Sequence, residues 1–267
     1  MDNSINFNIR DMVGIMKTII NRVVWTCMAS VIFTCCDKAD GAQGETRPEK
    51  GYVTGKVVDG KGEPIAGVNI LVDNMAYHDS QTKGVTDEKG MYKIKIFQGA
   101  WKVYANFKTT YNGKNYSIQA YPDESSVVGE EWVVRNFTWK LEGVDPDNDS
   151  YRYGGRITVH SADDFYESEG DIELIFTPVG PLIDGSAGKI LKITGGDHYW
   201  SEYGYISDIP VGRYNVTASL KKVGGNVPLK IQDWYTKGAF VSTLKLDFQP
   251  DISDFRPTIN ASIAIGY

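Results

Sequence analysis

Apolar and polar residues alternate in short stretches along most of the chain from Tyr52 onward. The alternation is clear over 53–57, 92–96 and 101–108. A period of two places every second side chain on the same face of a strand, so these stretches predict half-buried β-strands. Turn-forming Gly, Asp and Asn residues separate them, and no window of a dozen residues after position 50 has a helical period. We therefore expect an all-β chain of antiparallel sandwiches of about 100 residues each.

The strand pattern occurs twice, at a spacing of 113 residues. Residues 92–121 align without a gap with 205–234, and the shared positions are turn glycines and inward-facing residues. Before this stretch the spacing falls to about 103, where Gly67 aligns with Gly170. The second copy therefore carries about ten additional residues within 177–204. We interpret the repeat as two tandem transthyretin-like or immunoglobulin-like sandwiches with the same strand order.

Changes in composition divide the chain into segments. A polar run with a proline separates the two predicted sandwiches, and a small, charged run precedes the first one. The segments are a signal peptide (1–34), a flexible tether (35–50), the first sandwich (51–143), a linker (144–154) and the second sandwich (155–267).

The N-terminal segment has the pattern of a secretory signal. A positively charged stretch over 17–22 precedes the uncharged residues 23–36, which are too few to span a bilayer as a helix. Met16 is the expected true start, because residues 1–15 carry two acids and fit a signal n-region poorly.

All three cysteines, Cys27, Cys35 and Cys36, lie in this segment. The sequence Ile32-Phe33-Thr34-Cys35 resembles a bacterial lipobox, whose cysteine is acylated and becomes the new N-terminus. We expect lipid attachment at Cys35, with Cys36 as the alternative site and an ordinary cleaved signal peptide as the alternative interpretation. The remaining chain has no cysteine, which excludes a disulfide framework, a Cys-ligated metal and a thiol nucleophile there.

Residues of the first predicted sandwich carry a family motif. The residues that form the motif are Gly55, Asp59, Pro64, Gly67, Thr86-Asp87, Gly90, Tyr92, Gly99 and Trp101. This stretch resembles the carboxypeptidase regulatory-like domain, well over 52–141 and weakly over 155–267. The resemblance implies a seven-stranded transthyretin-like sandwich without peptidase activity. In Bacteroidetes this domain commonly follows a lipobox in proteins encoded with glycan-uptake machinery, which implies an outer-membrane or cell-surface lipoprotein.

The sequence shows no catalytic or cofactor motif. Its three histidines lack zinc-ligand spacing, and phosphate-cradle and dinucleotide fingerprints are absent. A net charge of −6 without a basic run argues against nucleic-acid binding. We therefore expect no enzyme activity, no cofactor and no nucleic-acid partner.

Two clusters are candidate binding sites. Residues His198, Tyr199, Trp200 and Tyr203 combine aromatic rings with a histidine, as a sugar-stacking platform needs. The alternative is a hairpin whose rings pack against the neighbouring domain or cover a sheet edge. Residues Asp145, Asp147 and Asp149 have the alternate spacing of a calcium loop but lack its later Gly and Glu, so a solvated linker is the alternative.

These observations favour a non-enzymatic surface lipoprotein that binds glycans, or interacts with other proteins, beside an outer-membrane polysaccharide-uptake system. The membrane, polysaccharides and uptake proteins are the expected partners. The alternative is a structural adhesin or fimbrillin-like pilus subunit. The alternating residues 259–267 could then be donated to a neighbour as a strand, although closing their own sheet is simpler.

Overall fold

The computed structural model describes residues 48–97, 99–125, 127–128, 133–197, 199–200, 204–250 and 257–267. The predictions for the signal peptide, for most of the tether and for Cys35, Cys36, His198 and Tyr203 lie outside the described residues. Residues 46–267 belong to one compact unit. Within the described ranges, no helix has the length and apolar composition needed to cross a membrane.

The described structure is almost entirely β. The first half contains β1 (Tyr52–Val58), β2 (Asn69–Asn74), β3 (Gln81–Val85), β4 (Met91–Lys95), β5 (Trp101–Tyr111), β6 (Lys114–Pro122), β7 (Val127–Val128), β8 (Val133–Val134) and β9 (Phe137–Thr138). A short hairpin follows, β10 (Val144–Asp145) and β11 (Asn148–Arg152). The second half contains β12 (Gly155–Ser161), a 3₁₀ helix (Glu169–Asp171), β13 (Ile172–Pro178), β14 (Leu191–Thr194), β15 (Tyr205–Ile209), β16 (Arg213–Lys222), β17 (Gly225–Asp233), β18 (Leu244–Asp247), β19 (Gln249–Pro250) and β20 (Ile259–Gly266).

The first sandwich has the strand order β3-β2-β5-β6-β9-β1-β4. Neighbours are antiparallel except β1 and β9, which are parallel. Alternate residues of the central strands are buried together, as the period of two predicts; examples are Val53 on β1, Val72 on β2 and Val103 on β5. The seven strands of this path match the number implied by the resemblance to the regulatory-like domain.

The second sandwich repeats this arrangement, with the order β14-β13-β16-β17-β20-β12-β15. Its parallel pair, β12 and β20, occupies the place of β1 and β9, and β18 joins β16 as β7 joins β5. The predicted all-β fold with two sandwiches is therefore confirmed. Two connections between strands are longer in the second sandwich than in the first. Residues 179–190 correspond to 75–80, and residues 195–204 correspond to 86–90.

Several motif residues have structural roles. The Thr86 hydroxyl donates to the Ile65 carbonyl at 2.8 Å and accepts from the Val68 amide at 2.9 Å, which fixes the turn before β2. A Cβ at Gly55 would lie 1.8 Å from the Arg135 carbonyl oxygen. Gly55 thus lies at a close approach of two backbone segments that a larger residue would not permit.

The segment expected to be a solvated linker is the β10–β11 hairpin. Asp145 is only 4% exposed, and its carboxylate accepts the Asp147 amide at 2.8 Å. The Asp208 carboxylate accepts the amides of Gly143 and Gly154, at 2.9 and 3.1 Å, on both sides of the hairpin. Side chain–backbone hydrogen bonds therefore order a stretch whose polar composition suggested a solvated linker.

Direct contacts also join the two sandwiches. Tyr116, which is 2% exposed, donates its hydroxyl to the Phe248 carbonyl at 2.8 Å, and the Lys114 ammonium approaches the same oxygen at 3.2 Å. Nearby, the Tyr111 hydroxyl donates to the Pro181 carbonyl at 2.8 Å and accepts the Arg213 amide at 3.0 Å. We call Tyr111 and Tyr116 the tyrosine clamp.

Candidate functional site

The predicted aromatic platform is only partly available at the surface. Trp200 is 6% exposed and lies in the core, bridged to Ile206 on β15, so its ring does not provide the stacking surface predicted for it. Tyr199 is half-buried, and its carbonyl accepts the Ser207 amide at 2.8 Å. Burial, together with nearby carboxylates, raises the pKa of the Tyr199 phenol. A sugar-binding role of this segment stays a prediction.

The predicted calcium loop brings Asp145 and Asp147 together in the hairpin, but a lysine is already present there. The Lys102 ammonium lies 3.8 Å from an Asp147 oxygen. Among the described residues, no group of three or more His, Cys, Asp or Glu side chains could hold a metal ion. The side chain of Asp149 lies outside the described part.

A cleft of about 650 Å³ lies between the two sandwiches. Its walls come from β6 and residues 139–141 on one side, from the β10–β11 hairpin, and from β12, β15 and 257–259 on the other. The tyrosine clamp and the hairpin join the same two sandwiches, so contacts within the chain hold the walls of the cleft. Pre-formed clefts of this size are typical of small-ligand sites.

Aromatic side chains line much of this cleft. The rings of Tyr121 and Tyr153 lie 3.6 Å apart between centroids, at an angle of 45°. Tyr151 is 44% exposed, while Trp139 and Tyr205 are half-buried. These residues come from both sandwiches and from the hairpin that joins them, so the cleft depends on the joined arrangement.

Charged groups accompany the rings. The Arg156 guanidinium carbon lies 3.6 Å from the centroid of the Tyr205 ring, and the Lys140 ammonium lies 5.9 Å from that of Tyr153. Burial raises the pKa of Tyr153 to about 12, and the carboxylates of Asp145, Asp208 and Asp147 act in the same direction. The Tyr153 phenol therefore stays protonated at neutral pH and can donate a hydrogen bond.

Among the described lining residues there is no histidine, and Asp145 is the one carboxylate. Elsewhere, His160 Nε2 lies 2.9 Å from Ser262 Oγ, a spacing typical of a base and a hydroxyl nucleophile. Ser262 is only 4% exposed, however, and the His160 ring stacks on Trp234 with centroids 3.8 Å apart. This pair therefore fits a packing role better than a catalytic one.

Comparisons with known proteins leave the family open. No family model matches the chain, and no curated protein matches it. Among solved structures, it matches the Bacillus anthracis TIE protein at a TM-score of 0.29 and 11% identity, over 81% of this chain and 34% of that one. A DUF3823 family protein from Bacteroides ovatus matches at 0.23 and 11% identity, over 74% and 99%. The shaft pilin SpaA of Lactobacillus rhamnosus GG matches at 0.22 and 14% identity, over 80% and 98%.

These TM-scores are too low to establish a shared fold, and no functional inference follows from them. The chain spans 34% of the length of the Bacillus protein and 16% of that of a Cyanothece lipoxygenase that it also matches.

The sequence pointed to part of the cleft without defining it. Tyr205 closes the aromatic run that begins at Asp197, and its ring lines the cleft. Tyr121 and Trp234 align in the repeat, which favoured a structural role for both, yet Tyr121 lines the cleft. The contributions of Tyr151 and Tyr153 were missed, because an ordered hairpin was not expected in the linker.

Proposed function

We propose that this protein is a non-enzymatic surface module that binds glycans in the cleft between its sandwiches. The observation that carries the proposal is the group of aromatic rings from both sandwiches and the hairpin around one pre-formed cleft. Ring faces pack against the C–H faces of pyranoses, while neighbouring polar groups bind their hydroxyls.

The rigidity of the cleft supports this proposal. The buried hydroxyl of Tyr116 and the paired hairpin strands hold the walls in place before a ligand arrives. A wall that is ordered in advance loses little conformational entropy on binding, so more of the contact energy is available as affinity. A weak individual sugar contact then contributes more to the observed binding.

Affinity electrophoresis of the chain in gels containing plant and host polysaccharides tests the proposal. We expect retardation by at least one polysaccharide, and we expect Tyr205→Ala to weaken it roughly tenfold, or about 1.4 kcal/mol. The control is Tyr77→Ala, because Tyr77 is 69% exposed in the 75–80 loop of the first sandwich and does not line the cleft. An unretarded wild-type chain, or equal loss in both variants, would refute binding in this cleft.

We also propose that the chain is anchored in the outer membrane through a lipid on Cys35, or on Cys36. The support is the lipobox-like sequence after an uncharged stretch. Metabolic labelling with a radioactive fatty acid tests this proposal: Cys35→Ala should lose the label and Cys27→Ala should keep it. Label that persists in the Cys35→Ala, Cys36→Ala double variant would contradict attachment at either residue.

The position of β20 favours the glycan-binding module over a fimbrillin-like pilus subunit. β20 pairs with β12 on one side and with β17 and β19 on the other, and residues 261–266 are buried. Donating this strand to a neighbour would break the pairings that it makes on both sides of its own sheet. SDS-resistant ladders on gels, without any glycan binding, would support the pilus alternative instead.

A further inference from the structure

We infer that the cleft selects acidic polysaccharides, and that Arg156 and Lys140 hold the anionic group of a sugar ring. This inference rests on the proposed glycan-binding function and adds the chemical class of the ligand. Its basis is the charge of the cleft: the described lining residues include the cations Lys140, Arg152 and Arg156 and the single carboxylate of Asp145.

Arg156 has the geometry of an anion-binding residue. Its guanidinium lies over the Tyr205 ring, and its side chain is exposed. No described carboxylate lies within ion-pair distance of it. The N–H groups of a guanidinium lie in its own plane, so a ring that packs on its face leaves them able to donate to a carboxylate, which can accept two of them at once.

Lys140 provides a second charge on the same cleft. It is exposed, its ammonium lies 5.9 Å from the centroid of Tyr153, and no described carboxylate pairs with it. The remaining lining cation, Arg152, donates to the Tyr151 carbonyl at 3.1 Å.

Asp145 is the one carboxylate among the described lining residues, and Asp147 and Asp208 lie close enough behind the lining to raise the pKa of Tyr153. Asp145 is 4% exposed, and one of its oxygens accepts the Asp147 amide. The lining of the cleft thus has more cations than carboxylates, in a chain whose net charge is −6. A neutral sugar would leave both Arg156 and Lys140 without a counter-charge, whereas an acidic sugar supplies one.

The anion could be the carboxylate of a uronic acid or a sulfate ester, since both offer oxygens that a guanidinium can bind. Polygalacturonate and its fully methyl-esterified form make a matched pair of probes, because they share a backbone and differ in charge. Chondroitin sulfate and its desulfated form test the sulfate in the same way. Binding is measured by isothermal titration calorimetry with the full folded chain.

We expect the chain to bind polygalacturonate or chondroitin sulfate at least tenfold more tightly than the uncharged counterpart. Arg156→Gln and Lys140→Gln should each reduce this preference roughly fivefold or more, and added salt should weaken it. Lys83→Gln is the matched control: it removes the same charge from the exposed edge strand β3, outside the cleft. Circular dichroism should show every variant folded, because these side chains are exposed.

The outcomes separate this inference from the proposed function. Equal binding of charged and uncharged forms, lost in Tyr205→Ala, would overturn charge selection and leave glycan binding in place. A preference for the acidic form that Lys83→Gln reduces as much as Arg156→Gln would also overturn it, because the attraction would then be nonspecific. Failure of neutral and acidic polysaccharides alike to bind would refute both proposals.

Discussion

Replacing Tyr116 by Phe should weaken the junction between the sandwiches while leaving each core intact. The change removes one hydroxyl and keeps the ring, which is 2% exposed. The lost interaction is the 2.8 Å hydrogen bond to the Phe248 carbonyl. Because the Lys114 ammonium still approaches that oxygen at 3.2 Å, the carbonyl is not left buried without a donor.

The expected cost is therefore that of one net hydrogen bond, about 0.5–1.5 kcal/mol, and not the larger penalty of an unsatisfied buried group. For a folded unit of this size, 1 kcal/mol corresponds to a decrease in Tm of roughly 2–4 °C. Urea denaturation and calorimetry both measure this difference. Tyr166→Phe is the control, because Tyr166 is 89% exposed, and its free energy of unfolding should change by less than about 0.5 kcal/mol.

The pH dependence gives a second measurement of the same hydroxyl. Burial raises the pKa of Tyr116 to about 12, with a further contribution from Asp247, whereas an unfolded tyrosine ionises near pH 10. The folded state therefore retains this proton more tightly, so its stabilising contribution is complete below pH 10 and is lost as the pH rises toward 12. Tyr116→Phe should remove that part of the alkaline loss. Unchanged stability at neutral pH together with an unchanged alkaline profile would refute the role assigned to the clamp.

Three further predictions follow from the described packing. Gly55→Ala should prevent stable folding, because the added Cβ would lie 1.8 Å from the Arg135 carbonyl oxygen. The control Gly60→Ala should express as a folded protein, because its Cβ would lie 3.6 Å from the nearest atom. Equal yields and melting temperatures of the two variants would contradict this prediction. Trp200→Ala should cost about 3–5 kcal/mol in chemical denaturation, because its indole is 6% exposed, and a loss under about 1 kcal/mol would argue against the core position. Burial, and to a lesser extent the charge of Lys237, lower the pKa of His160. The free energy of unfolding should therefore fall as the pH drops below 6.5, and the fluorescence of Trp234, on which the His160 ring stacks, should be quenched in parallel. His160→Gln should flatten both pH profiles.

The period of two was sufficient to predict the strands, because it reports burial on one face of a sheet. Val103 on β5 and Val216 on β16 are both buried at positions that the 113-residue repeat aligns. The repeat also predicted a shared strand order, since turn glycines and inward-facing residues recur together only where the chain folds back at equivalent points.

The site was harder to predict, because it depends on contacts distant in sequence. Trp200 resembles an exposed loop residue by composition, but its backbone bridges to β15, which directs the ring into the core. The polar sequence around Asp145 suggests a solvated acid, whereas the pairing of β10 with β11 places this residue in an ordered hairpin. The pairing of Tyr121 with Tyr153 joins residues from opposite sides of the junction, and no local pattern encodes that distance.

The placement of the final strand in each sandwich constrains the order in which the chain can fold. β9 lies between β6 and β1, and β20 lies between β17 and β12, so each sheet is completed by the strand that comes last in sequence. The closing parallel contacts join Val57 to Phe137 and Arg156 to Asn260, which are remote in sequence. Such pairings are slow to form. The first sheet can therefore be completed as soon as β9 is available, whereas the second stays incomplete until β20 has been added.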